Sequence, residues 1–207
     1  TAPLTEESLP ALRQAGRARL AQQPEPAVAP VCLSVPVHGN APPVPVLHYR
    51  PPAQPARSAA VLHIHGGGMI SGSPRLSRFA SAAQALALDL PVFSVDYRLA
   101  PEAPFPAQLD DCYAVLAWLH AEADAFGIGP ARIIVSGDSA GGGLAVGLAL
   151  MVRDRGELSL AAQVLTYPML DYRTGLGAGD QSDPATGEFF VADAGNHALR
   201  AGSVAPV

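Results

Sequence analysis

The chain has 207 residues, 49% of them hydrophobic and 15% charged, which excludes a disordered segment and is enough for one domain with a buried core. A formal net charge of −5 without a basic run argues against a nucleic-acid partner. No apolar run reaches the ~18 residues of a membrane span, and no basic flank precedes an apolar block at the start. Neither a span nor a secretory leader is therefore expected, and the expected compartment is the cytoplasm. Thr1 in place of Met points to a trimmed start. Cys32 and Cys112 lie far apart, so neither a disulfide framework nor a zinc site is expected.

Taken in chain order, PLTEESLPALRQAGRARLA reads as a helix, with Thr5 as cap and Glu6 and Glu7 in its first turn. PVCLSVPV and VPVLHYR read as two strands joined through a hairpin-like turn. AAVLHI is a short apolar run, as a buried strand would be, and RLSRFASAAQALALD follows as a helix. LPVFSVDY is the next buried strand. A strong helix runs through FPAQLDDCYAVLAWLHAEADAFG, with Pro106 in its first turn, one apolar face through Leu109, Cys112, Leu116, Leu119 and Phe126, and Gly127 to end it. ARIIVSG is a strand, AGGGLAVGLALMVRD a buried helix and LAAQVLTYP another strand. This alternation from 59 to 168 predicts βαβ units in a mostly parallel sheet. Beyond Leu170 no convincing buried strand is visible.

Gly137-Asp138-Ser139-Ala140-Gly141 matches G-x-S-x-G between an apolar strand and a small-residue helix. In such an elbow the turn is so sharp that side chains two residues either side of the serine would clash. The hydroxyl is lifted clear of the sheet at a helix N-terminus, which favours negative charge. The bland alternative is a plain glycine-rich turn. His65-Gly66-Gly67-Gly68 follows the strand AAVLHI, and its glycines leave backbone N–H groups open to an oxyanion, with Ala140 N–H as a further donor.

With these residues in hand, the chain resembles the hormone-sensitive-lipase-like group of α/β-hydrolase carboxylesterases. The resemblance runs from about residue 5 to about residue 200, on HGGG at 65–68, DYRLAPE at 96–102, FPA at 105–107, GDSAGG at 137–142 and YPMLD at 167–171. It implies an α/β-hydrolase fold, a mostly parallel sheet with helices on both faces, incomplete at its C-terminal edge. It implies ester hydrolysis through an acyl-enzyme; the expected substrates are small, short-acyl esters, and no cofactor or metal is expected. Ser139 would be the nucleophile, Gly67, Gly68 and Ala140 the oxyanion donors, and His65, Gly137, Asp138 and Gly141 their support. The implied layout is an N-terminal cap helix over 1–25, a partial core over 26–171 and a cap insertion with the truncated end over 172–207.

The base is the gap. In this fold the order is Ser, then Asp or Glu, then His. Downstream of Ser139 the sequence has one histidine, His197, four residues after Asp193 in a stretch that aligns with a cap helix. At that spacing the two share one helical face, which suits a surface pair better than a triad. Two further βα units of about 30 residues each would be needed to carry the family's acid and histidine loops. The chain is therefore expected to be the front two-thirds of an esterase, cut short by a stop or frameshift. LAAQVLTY would then become an exposed apolar edge, inviting a homodimer or aggregation. Two rivals stay open: a non-catalytic remnant or ligand-binding fragment, and a complete short hydrolase using His197 or a base from a partner chain.

Other residues have structural readings. His63 and His65 share a strand face, but no further ligand stands nearby at metal-like spacing. Asp110 and Asp111 fit a helix-start charge pair, Asp96 and Arg98 structural partners beneath the site, and Tyr113 and Trp118 helix packing.

Overall fold

The chain is described by a computed structural model over residues 7–37, 39, 41–170, 188–193 and 198–203. Helix α1 spans Leu9–Ala21 from Ser8 at its N-cap, with a proline in its first turn; Thr5 and Glu6 lie outside the described residues. Strands β1 (Val31–Val35) and β2 (Val44–Tyr49) pair antiparallel, as the hairpin-like spacing predicts. Then come β3 (Ser58–Ile64), α2 (Arg78–Leu88), β4 (Val92–Val95), α3 (Ala107–Ala121), β5 (Ile128–Asp138), α4 (Ala140–Arg155) and β6 (Ala162–Thr166). The sheet order is β1-β2-β4-β3-β5-β6, and β4, β3, β5 and β6 run parallel.

The strand sequences explain their depth. β3 and β4 are continuous apolar runs because both of their faces are covered. Ala60, Leu62 and Ile64 of β3 join Phe93, Leu116, Leu119 and Leu148 in the larger core on the α3–α4 face. Val61, between them, points the other way and packs with Ala82 and Ala85 of α2. That alternation puts helices on both faces of the sheet. β6 is an edge strand of this sheet, and Ala162, Gln163 and Val164 are exposed along it.

Three expectations are corrected. Residues 188–193 and 198–203 fall in the stretch aligned with a cap helix, yet they form strands β7 (Glu188–Asp193) and β8 (Ala198–Ser203), paired antiparallel. Phe189, Phe190 and Val191 favour a pleated strand over a helix, and a local strand preference outweighs an alignment to a distant helix. Asp193 ends β7 opposite Ala198, so the helical i, i+4 pairing with His197 does not apply; His197 itself lies outside the described residues. The third concerns Arg98, whose partner is Asp111 and not Asp96. Its guanidinium binds Asp111 at 2.7 and 2.9 Å, and its backbone N–H donates to the same carboxylate at 2.9 Å. Asp111 is fully buried, while its neighbour Asp110 faces water. Burial selects the carboxylate that a guanidinium can neutralise. Asp111→Ala should lower the unfolding free energy by about 2–3 kcal/mol, read by urea denaturation. This is less than for a wholly buried pair, because Arg98 keeps 32% of its side chain exposed.

Candidate active site

Ile64 and Gly137 are register partners, so β3 and β5 release their following loops side by side at the C-terminal edge of the sheet. One loop is Gly66–Gly68; the other is the turn at Ser139. Ser139 sits at φ 53°, ψ −120° as the N-cap of α4. A positive φ strains a residue with a Cβ, and such strain concentrates where function requires a particular geometry. The turn is clamped at its backbone: Ser139 N–H donates to Thr166 O at 3.0 Å, and Ser139 O accepts from Gly143 N–H at 3.1 Å and Met169 N–H at 2.8 Å.

The steric demand on the flanking glycines is met as the motif requires. A Cβ on Gly137 would overlap the Gly141 carbonyl, and one on Gly141 would overlap the Ile64 carbonyl. A Cβ on Gly66 would stand 3.3 Å from the Ser139 Cβ, which measures how closely the glycine loop approaches the serine. Gly67, at φ +122°, adopts a backbone that only glycine takes readily, and Ser71 crowds the place where its side chain would be. Among the described residues the N–H groups of Gly67, Gly68 and Ala140 have no hydrogen-bond acceptor. The glycine loop that carries two uncommitted N–H groups thus comes close to a strained serine, and the third, Ala140 N–H, directly follows that serine at the positive end of α4.

Asp138 joins the two loops. Its Oδ2 accepts the Gly66 N–H at 3.2 Å, and its Oδ1 accepts from His63 Nε2 at 3.4 Å. His63 Nδ1 meets the Ser94 hydroxyl at 3.0 Å. The hydrogen bond from His63 holds the Asp138 carboxyl below its ordinary range, so it stays an acceptor. Sequence reading missed this use of His63; the signal was its alternation with His65 along β3, which gave only an unpromising metal pair. Among the described residues no group of three or more metal-ligating side chains assembles.

His65 is buried and stacked on Tyr97, ring centroids 4.2 Å apart, with its Nδ1–H donating to Gly66 O at 2.7 Å. The Tyr97 hydroxyl donates to His65 O at 2.8 Å. Burial pushes the imidazole down to about 4, so it is neutral at physiological pH. The unfolded chain binds a proton there more readily than the folded one. The resulting stabilisation is complete above the unfolded pKa of about 6.5 and is lost as pH falls toward 4. His48, stacked on Phe93, is pushed down to about 4 by burial and shares this behaviour. Lowering the pH from 7 to 5 should remove about 2 kcal/mol through His65 alone, measured by denaturant midpoints across that range.

The described histidines are committed elsewhere than Ser139. His63 and His65 are engaged as above, His48 lies between Phe93 and Phe126, and His120 Nε2 contacts Ser159 O at 2.8 Å. His38 lies outside the described residues, like His197.

A parallel sheet that releases a glycine loop and a strained serine elbow from adjacent strands is the architecture of the α/β hydrolases. The chain belongs to the alpha/beta hydrolase fold family, matched over residues 61–201, and within it to the hormone-sensitive-lipase-like carboxylesterases. It is 42% identical to the carboxylesterase NlhH of Mycobacterium tuberculosis over 125 residues, covering 60% of this chain and 39% of that protein. It is 37% identical to mouse hormone-sensitive lipase over 123 residues, 59% of this chain and 16% of that one. Among solved structures, a bacterial heroin esterase superposes with a TM-score of 0.75 at 39% identity, covering 82% of this chain and 55% of that chain. The carboxylesterase EstE1 gives 0.74 at 36% identity, covering 85% and 60%. The chain thus spans 39% of NlhH and at most 60% of these two solved relatives.

Proposed function

We propose that this chain carries the nucleophile and oxyanion donors of a serine carboxylesterase acting on small, short-acyl esters. The observation that carries the reading is the strained Ser139 beside a glycine loop, with the N–H groups of Gly67, Gly68 and Ala140 left without an acceptor among the described residues. Ser139 Oγ bonds to the ester carbonyl carbon as its proton passes to a base. Gly67, Gly68 and Ala140 N–H hold the tetrahedral oxyanion, each such donor being worth about 10²–10³ in rate. The C–O bond breaks, the alcohol leaves with the proton, and water releases the acid from acyl-Ser139. Asp138 and neutral His65 hold the glycine loop in place, and α1 acts as part of a cap. Arg13 supports that last role, bonding the Ile70 carbonyl at 2.8 Å and Glu102 at 2.6 Å. The base is assigned to none of the described histidines, and the family's acid and histidine loops find no match in this sequence. His197 and a partner chain paired at the β6 edge remain the sources to test.

A cytoplasmic location is part of the same proposal. Among the described residues no helix is long and apolar enough to cross a membrane.

Hydrolysis of p-nitrophenyl esters tests the reading. Butyrate should turn over faster than myristate. If pairing at β6 supplies the base, specific activity rises with protein concentration. If His197 supplies it, His197→Ala removes the activity. A second reading, a non-catalytic ligand-binding fragment, is favoured by the commitment of the described histidines elsewhere. It predicts no turnover of any ester above buffer.

A further inference from the structure

We propose that the cleft between α1 and the segment after the glycine loop binds an amphipathic carboxylate, with an apolar body along the leucines and its anionic end at Arg17. The cleft holds about 520 Å³, and Leu12, Leu20, Leu76 and Leu99 supply its apolar wall. Ser71, also in its lining, donates to Gly67 O through both its N–H and its hydroxyl, at 2.9 Å each. The wall is therefore continuous with the loop whose N–H groups stand beside Ser139.

The charge is what selects the ligand. Three arginines of α1 line the cleft, and among the described residues no acidic side chain does. Arg13 is engaged by Glu102 and by the carbonyls of Ile70 and Ala100. Arg19 stands in the last turn of α1, where a cation is favoured by the helix dipole. Arg17, one turn beyond Arg13, is exposed to water and among the described residues has neither partner nor terminal position. Among the described residues no carboxylate pairs with it. A neutral ester fills the leucine wall and leaves this guanidinium unused; a molecule with a terminal carboxylate satisfies both. Resting on the esterase reading, the substrate class is a half-ester of a dicarboxylic acid. The binding itself needs no turnover.

Titration of the intact chain with octanoate and with octanamide, followed by leucine methyl NMR shifts, tests this. The two probes share one apolar body and differ in charge. Octanoate should bind about three- to fivefold tighter at low salt, the yield of one partly exposed ion pair. The preference should vanish in Arg17→Gln, persist in Arg17→Lys and shrink as salt is added. Equal affinities, a preference that survives Arg17→Gln, no binding of either probe, or shifts confined to leucines outside the cleft would each overturn it. Because no ester is cleaved, this failure is distinct from a failure of Ser139 to react.

Discussion

Gly141→Ala is expected to cost more than about 4 kcal/mol of stability, in the range reserved for severe backbone collisions. The new methyl has nowhere to go. It would overlap the Ile64 carbonyl oxygen and stand 2.5 Å from that of His65. These are main-chain atoms of β3 and the start of the glycine loop, so no rotamer change relieves the contact. Either α4 moves off the sheet or the loop is pushed from Ser139. The control is Gly156→Ala, whose added Cβ meets no atom within 4 Å and whose φ of +66° carries only the ordinary left-handed penalty of about 1 kcal/mol. Thermal melts of the two variants side by side should separate them widely. Similar melting temperatures would mean that the elbow is looser than described.

The second large effect is on reactivity. Once a base is supplied and the intact chain turns over an ester, Ser139→Ala should remove that turnover by about a thousandfold or more, because the remaining oxyanion donors cannot replace a covalent nucleophile. The fold should survive: alanine inherits the same φ of 53° and loses one hydroxyl. Ser139→Gly separates the two roles of the residue. Glycine accepts a positive φ without strain, so this variant should be as inactive and about 1 kcal/mol more stable. A serine kept in a conformation that glycine would prefer is retained for its hydroxyl. Equal activity in all three chains would remove Ser139 from the chemistry.

The element pattern was legible because it follows from one-dimensional rules. Apolar runs such as AAVLHI and LPVFSVDY gave the buried strands, and the motif GDSAG between strand and helix gave the elbow. Side-chain partners were less legible, since a sequence does not say which of two adjacent acids turns inward. Asp111, not Asp96, took Arg98 because α3 presents it to the sheet while Asp110 faces water. The bridge through Asp138 and His63 depends on β3 and β5 being neighbours in register, a fact of topology that neither motif carries. The strand pair β7–β8 was not legible because the family resemblance places this stretch in a cap helix, while the strand preference rests on the short local pattern Phe189-Phe190-Val191 alone.

The central claim is that Ser139 is a nucleophile backed by oxyanion donors. The direct test is to treat the intact chain with a fluorophosphonate and locate the adduct by mass spectrometry. The account predicts one adduct, on the peptide that contains Ser139, formed as fluoride leaves and absent from Ser139→Ala. No adduct after prolonged exposure to excess reagent, or an adduct that persists in Ser139→Ala, would contradict it.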